Sequence, residues 1–322
     1  MQNSPWRRIA ITVSAMLAVL LVTLSIRFVQ SRGVFASVEG KTSGTCSQLR
    51  FAGTGVVADI EIDAAGKTAY IATVDGLFAL PLGSGKVERL AGTPMDFHPE
   101  ALSLYEDASG VLLRVIFRHE NRTAISLFKV RPSAVTELNR LTSDDVTDPA
   151  DLAMVDAERF YLINRHGTHT ALGRWLDDVL LLPRAKVLFF DGMKFVTVAE
   201  RLNSPSGIAL SPDKAYLYVA EDYPRMIVGF ARNDLTGALG EPAALPLPAG
   251  PRKIAAERDG SLIVAARPKW GALVVYRVTM DGGLPAAAVS LFARGGEDDP
   301  VAVSGGGHLV LSTDERFLDC GL

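Results

Sequence analysis

Three features of this 322-residue chain predict an all-β fold, a six-bladed β-propeller, carrying an N-terminal transmembrane helix. A strand–turn–strand pattern recurs six times. Its copies are spaced by about 43 to 56 residues, the period of a four-stranded blade. One uninterrupted apolar run lies near the N-terminus, and nothing resembling the long helices of a parallel α/β sheet follows it.

The apolar run is Ile9 to Ile26, with Arg7 and Arg8 before it and Arg27 and Arg32 after it. Its length is near the minimum for a tilted spanning helix. No small-x-small cleavage site directly follows, so residues 1–32 read as an uncleaved membrane anchor in preference to a signal peptide. Residues 33–45 (GVFASVEGKTSGT) are small and polar and read as a linker. Residues 46–322 are the propeller, because a single core rarely serves so long a stretch unless the chain repeats. Cys46 and Cys320 stand at the two ends of that domain. Their placement suggests a disulfide joining the ends, which requires an oxidising compartment; two unrelated thiols is the alternative. The bridge reading puts the domain outside the cytoplasm.

The repeats run ADIEIDAAGKTAYIAT from Ala58, ALSLYEDASGVLLRVIF from Ala101 and ADLAMVDAERFYLIN from Ala150. They continue as SGIALSPDKAYLYVAE from Ser206, KIAAERDGSLIVAA from Lys253 and VAVSGGGHLVLST from Val301. Each alternates apolar and polar residues on either side of a turn rich in Gly, Asp, Pro or Ser. Further strands such as TAISLFKV from Thr123 fill the remainder of each repeat. One helix interrupts the third repeat, over 170–182, with Leu172, Trp175, Leu176, Val179 and Leu180 on one face. That face reads as packed on the propeller rim, with a lid or a membrane-surface contact as alternatives.

Composition sets limits on function. Lys plus Arg is 33 and Asp plus Glu is 36, a net charge of −3, which excludes the basic field of a general nucleic-acid binder. Two cysteines exclude a disulfide-dense scaffold and a four-cysteine zinc site. No G-x-S-x-G elbow, P-loop or dinucleotide fingerprint occurs.

The segments CSQLRF, ADIEID, PEALS, FYLINRH, SGIALSPDKAYLYVAE and the terminal LDCGL, together with the anchor and paired cysteines, resemble the paraoxonase/arylesterase family. More distantly the chain is similar to gluconolactonase and strictosidine-synthase propellers. The resemblance implies a six-bladed propeller hydrolysing lactones and aryl esters with calcium in a central tunnel. Its catalytic calcium ligands, oxygen-bearing side chains, match Ala58, Ala150, Ser206, Arg252 and Lys253 here. Calcium takes six to eight oxygens, so the resemblance implies that this site is lost. The family's structural calcium ion matches Asp59, Asp151 and the carbonyl of Leu102, a set that survives; the alternative is that the two Asp cap backbone amides or pair with Arg252 or Lys253. Of the family's histidine pair, one member matches Glu100 and the other His119, leaving His119 as a lone candidate base with His98 as a substitute for its partner.

Two function classes follow. One is an arylesterase/lactonase-like hydrolase with a degenerate calcium site. The other is a non-catalytic, membrane-anchored propeller in which Glu100, Ser206, Arg252 and Lys253 line the tunnel mouth and hold a small anionic ligand. On that second reading Arg252, Lys253 and Glu100 form one ion cluster; a solvated rim loop is the alternative, since PAGPRK is turn-rich.

Overall fold

The computed structural model describes residues 5–31, 46–49, 56–82, 86–119, 122–267, 272–295, 301–305, 308–313 and 316–321. The linker of 33–45 and the side chains of Cys46 and Cys320 lie outside the described residues. Helix α1 is Pro5–Ser31, and Ile9–Ile26 within it is a candidate membrane span.

The rest is a β-propeller. After β1 (Cys46–Leu49), the first blade is β2 (Val57–Ile62), β3 (Thr68–Thr73), β4 (Gly76–Pro81) and β5 (Glu88–Leu90). The second is β6 (His98–Asp107), β7 (Gly110–His119), β8 (Arg122–Arg131) and β9 (Ala134–Leu141). The third is β10 (Pro149–Met154), β11 (Phe160–Asn164), β12 (Ala185–Phe190) and β13 (Phe195–Leu202). The fourth is β14 (Pro205–Leu210), β15 (Tyr216–Glu221), β16 (Met226–Arg232) and β17 (Leu239–Pro246). The fifth is β18 (Gly250–Ala256), β19 (Leu262–Arg267), β20 (Ala272–Asp281) and β21 (Leu284–Gly295).

Where the sequence predicts six repeats of one build, the structure has five blades of four consecutive strands. The chain after β21 supplies only β22 (Val301–Gly305), β23 (His308–Thr313) and β24 (Arg316–Gly321). The fourth strand of their sheet is β1, from the other end of the domain, paired antiparallel to β24 with Cys46 opposite Cys320. Strand β22 lies against β18 on one side and β2 on the other.

Alternation explains the core. Residues facing the two sides of each sheet pack against the neighbouring sheets, so the core is a series of layers between blades. Leu77, Phe97, Val115 and Phe117 fill the layer between the first and second blades, and Ile116, Leu152, Phe160 and Leu188 the next. Tyr161, Phe189, Leu217 and Phe230 join the third and fourth. Tyr218, Leu262, Val264 and Tyr276 join the fourth and fifth. Both faces of the middle strands are therefore buried, which is why they read as almost unbroken apolar runs.

Helix α2 (Ala171–Leu180) interrupts the third blade between β11 and β12, as predicted, but it sits the other way round. Leu172, Trp175 and Val179 are exposed, at 68%, 57% and 44%, while Asp177 is buried. The polar side docks because it finds partners there: Arg174 on Asp148, Asp178 on His166, and Asp177 with Arg184.

Candidate functional site

Each of the five blades breaks register at the start of its inner strand. The shifts fall between Val57 and Asp59, Pro99 and Ala101, Pro149 and Leu152, Pro205 and Gly207, and Pro251 and Lys253. Such bulges re-aim side chains and are common beside functional sites. They put Ala58, Glu100, Ala150, Ser206 and Arg252 at corresponding places around one end of the central axis. The residues immediately after them are Asp59, Ala101, Asp151, Gly207 and Lys253. Gly207 suits the close approach there: a Cβ would stand 3.1 Å from the Arg252 carbonyl and 3.3 Å from the Lys253 Cα, tighter than most such contacts.

The first ring of residues is satisfied locally. Ser206 Oγ donates to the Pro251 carbonyl at 2.7 Å. Arg252 reaches Asp222 at 3.4 Å, and Glu100 accepts from Arg118 Nε at 2.7 Å. Burial raises the Glu100 carboxyl above its ordinary pKa, with Arg118 opposing. The single Arg252–Lys253–Glu100 ion cluster anticipated from sequence is not formed. Arg252 and Lys253 are neighbours on a strand, so they point opposite ways.

Lys253 turns inward. Its Nζ lies 2.9 Å from Asp59 Oδ2, 3.4 Å from Asp151 Oδ1 and 3.4 Å from Glu61 Oε1. All but 11% of the Lys253 side chain is buried, and Asp59 and Asp151 are buried with it. Burial works against the ammonium, but Asp151, Asp59 and Glu61 outweigh it and hold Lys253 well above its usual pKa. Burial pushes the Glu61 and Asp151 carboxyls up, with Lys253 opposing in each case. The aspartates also accept backbone amides: Asp59 from Ile60 and Leu102, Asp151 from Leu152 and Ile208, at 2.8 to 3.1 Å. Asp59 and Asp151 thus cap backbone amides and share Lys253, the alternative to a calcium site, and Leu102 takes part through its amide N–H and not its carbonyl. Glu61, which the sequence reading missed, shares a face with Asp59 two residues earlier.

A calcium ion needs six to eight oxygens. Here an ammonium already fills the space between the carboxylates, 2.9 Å from Asp59 and 3.4 Å from Asp151 and Glu61, and offsets the charge that would attract the ion. This donor set does not fit calcium. Among the described residues no cluster of three or more His, Cys, Asp or Glu has the arrangement of a metal site.

Beside the bulge ring, a cleft of about 620 Å³ opens between the second and third blades. Arg118, Arg122, Asp148, His169 and Arg174 line it. Arg118 and Arg174 are paired with Glu100 and Asp148, whereas Arg122 makes no ion pair among the described residues. Under α2, His166 is clamped between Asp148 at 2.7 Å and Asp178 at 2.9 Å. His119 lies elsewhere: its ring is tilted beside Phe117, its electrostatic neighbour is Glu137 on the outermost strand of the blade, and its buried Nδ1 has no hydrogen-bond partner among the described residues. His98 bonds Asp96 at 3.0 Å on the surface.

The fold and its bulges define a β-propeller in which each of five blades presents one bulged residue at the start of its inner strand. The Arylesterase family model matches residues 87–292, and the chain belongs to that family. Serum paraoxonase/arylesterase 2 from Bos taurus is 27% identical over 128 residues, 39% of this chain and 36% of that protein. Mechanosensory abnormality protein 6 from Caenorhabditis elegans is 26% identical over 177 residues, 54% of this chain and 46% of that protein. The chain therefore matches less than half the length of each. Among solved structures, a gluconolactonase from Xanthomonas campestris superposes with a TM-score of 0.60 at 17% identity, covering 87% of this chain and 90% of its own. The calcium-binding protein regucalcin from Agrobacterium tumefaciens does so with a TM-score of 0.60 at 16% identity, covering 88% and 96%. These two likenesses concern the fold.

Proposed function

We propose that the chain is a membrane-anchored, extracytoplasmic member of the arylesterase family that holds a small anionic ligand at the bulged end of its propeller and does not run calcium-dependent ester hydrolysis. On this reading residues 1–32 anchor, 33–45 link, and 46–322 close into a six-bladed ring whose sixth blade is the sheet shared by β1 and β22–β24. A Cys46–Cys320 disulfide locks that ring. The observation that carries the proposal is the side-chain set at the five bulges, Ala58, Glu100, Ala150, Ser206 and Arg252: two methyls, a carboxylate, a hydroxyl and a guanidinium. That is a poor calcium shell. Arg122 and Arg252, with Glu100 setting the position of Arg118, suit a carboxylate or phosphate, which guanidinium groups bind in two-pronged fashion. The residue Lys253, offered by the sequence as a ligand cation, is committed internally.

The test pairs two measurements. Phenyl acetate and lactone hydrolysis should show no stimulation by added calcium chloride. Benzoate, citrate or inorganic phosphate should raise the melting temperature, as any ligand of the folded state does, and Arg122→Ala together with Arg252→Ala should remove that rise. Calcium-stimulated hydrolysis contradicts the proposal. A second reading, an ester or lactone hydrolase, is supported by the family match. On it His119 is the base, and His119→Ala abolishes turnover.

A further inference from the structure

We infer that Lys253 is the resident cation of the propeller's centre, a covalently tethered ammonium that takes the role a divalent metal ion plays when carboxylates from several blades converge. The inference stands on geometry and is independent of the ligand proposed above. Asp59, Asp151 and Lys253 occupy the same post-bulge position in the first, third and fifth blades. In the second and fourth blades that position is Ala101 and Gly207, which leave room for the three long side chains to meet.

The result is one continuous linkage. Asp59 on β2 accepts the Leu102 amide of β6, and Asp151 on β10 accepts the Ile208 amide of β14. Lys253 on β18 donates to both aspartates, at 2.9 and 3.4 Å. Five inner strands are thereby tied through one ammonium. An ion delivered by solution would do this only while bound. A lysine does it at any calcium concentration, because its charge is part of the chain. Glu61, 3.4 Å from Nζ, adds a third carboxylate to the same cation.

Removing the ammonium leaves the two buried aspartates without a counter-charge, a strongly destabilising change. It also vacates a space lined by carboxylate oxygens. The experiment follows the melting temperature of the full chain in detergent with excess calcium chloride and with excess chelator, for the parent, Lys253→Ala and Lys253→Met. The parent should melt at one temperature under both conditions. Lys253→Ala should melt on the order of 10 °C lower in chelator, and recover a large part of that loss in calcium. Lys253→Met, which keeps the bulk of the stem in the cavity, should be destabilised and stay so in calcium. A parent protein that loses stability in chelator overturns the inference, as does a Lys253→Ala variant that melts like the parent in chelator. Should Lys253→Ala fail to fold without metal, refolding it in calcium keeps the question open to decision: folded protein only in calcium supports the assignment, and no folded protein in either condition alongside a chelator-sensitive parent refutes it.

Discussion

At the scale of single residues, buried charges decide the behaviour. Glu221 is 5% exposed, and burial raises its carboxyl from the ordinary 4.5 to about 7 despite a hydrogen bond from the Asn203 amide. The folded state therefore holds this proton more tightly than the unfolded chain. The stabilising contribution is fully present below about 4.5 and is lost as pH rises through 7. Glu221→Gln is expected to raise stability at pH 8 by ~1–3 kcal/mol relative to the parent and to change little at pH 4, measured by urea unfolding at the two pH values. Arg114 is fully buried over the Phe160 ring; its Nη2 donates to the Ala157 carbonyl at 2.6 Å, while its Nε and Nη1 lack hydrogen-bond partners among the described residues. Apolar replacements of poorly compensated buried charges are often neutral or better. Arg114→Met is expected to leave the melting temperature unchanged or raise it; a loss of more than ~2 kcal/mol contradicts this reading. Asp59 and Asp151 were legible because each follows an alanine at the head of an obvious repeat. Their pairing with Lys253 was open as an alternative to calcium; what the sequence did not decide was which of the two adjacent cations turns inward, and in the fold Arg252 goes to Asp222 and Lys253 to Asp59.

At the scale of elements, the strand pattern was readable because turn chemistry marks each hairpin and the middle strands are apolar on both faces. The orientation of α2 was not. Apolar residues at helical spacing divide a helix into two faces without saying which of them meets the protein. The polar face wins because Asp148 and Arg184 offer it charged partners and His166 a hydrogen bond. Two outcomes follow. Leu172→Ser with Val179→Ser should shift stability by less than ~0.5 kcal/mol, since neither side chain is in the core. Thr170→Ala should cost ~1 kcal/mol, because the Thr170 Oγ1 accepts the Gly173 amide at 3.1 Å and caps the helix. Thermal unfolding of the two variants separates these expectations. A double-serine variant that is destabilised by several kcal/mol would show that the apolar face is buried.

At the scale of the whole molecule, the chain closes on itself by lending β1 to the last three strands. The sequence predicted the closure from its cysteines and miscounted the repeats of one build, because the last repeat holds three strands of its own. Cys46 and Cys320 are register partners, so non-reducing peptide mapping of protein from an oxidising compartment is expected to recover them in one cross-linked fragment. Reduction should then lower stability by up to about 5 kcal/mol, the chain-entropy limit for so long a loop. On this proposal the arylesterase-family propeller is organised around Lys253 and not around calcium. Elemental analysis of the purified full chain by inductively coupled plasma mass spectrometry tests it most directly. No calcium above background is expected after gel filtration in calcium-free buffer, and one stoichiometric calcium ion retained per folded chain would contradict the lysine-centred arrangement.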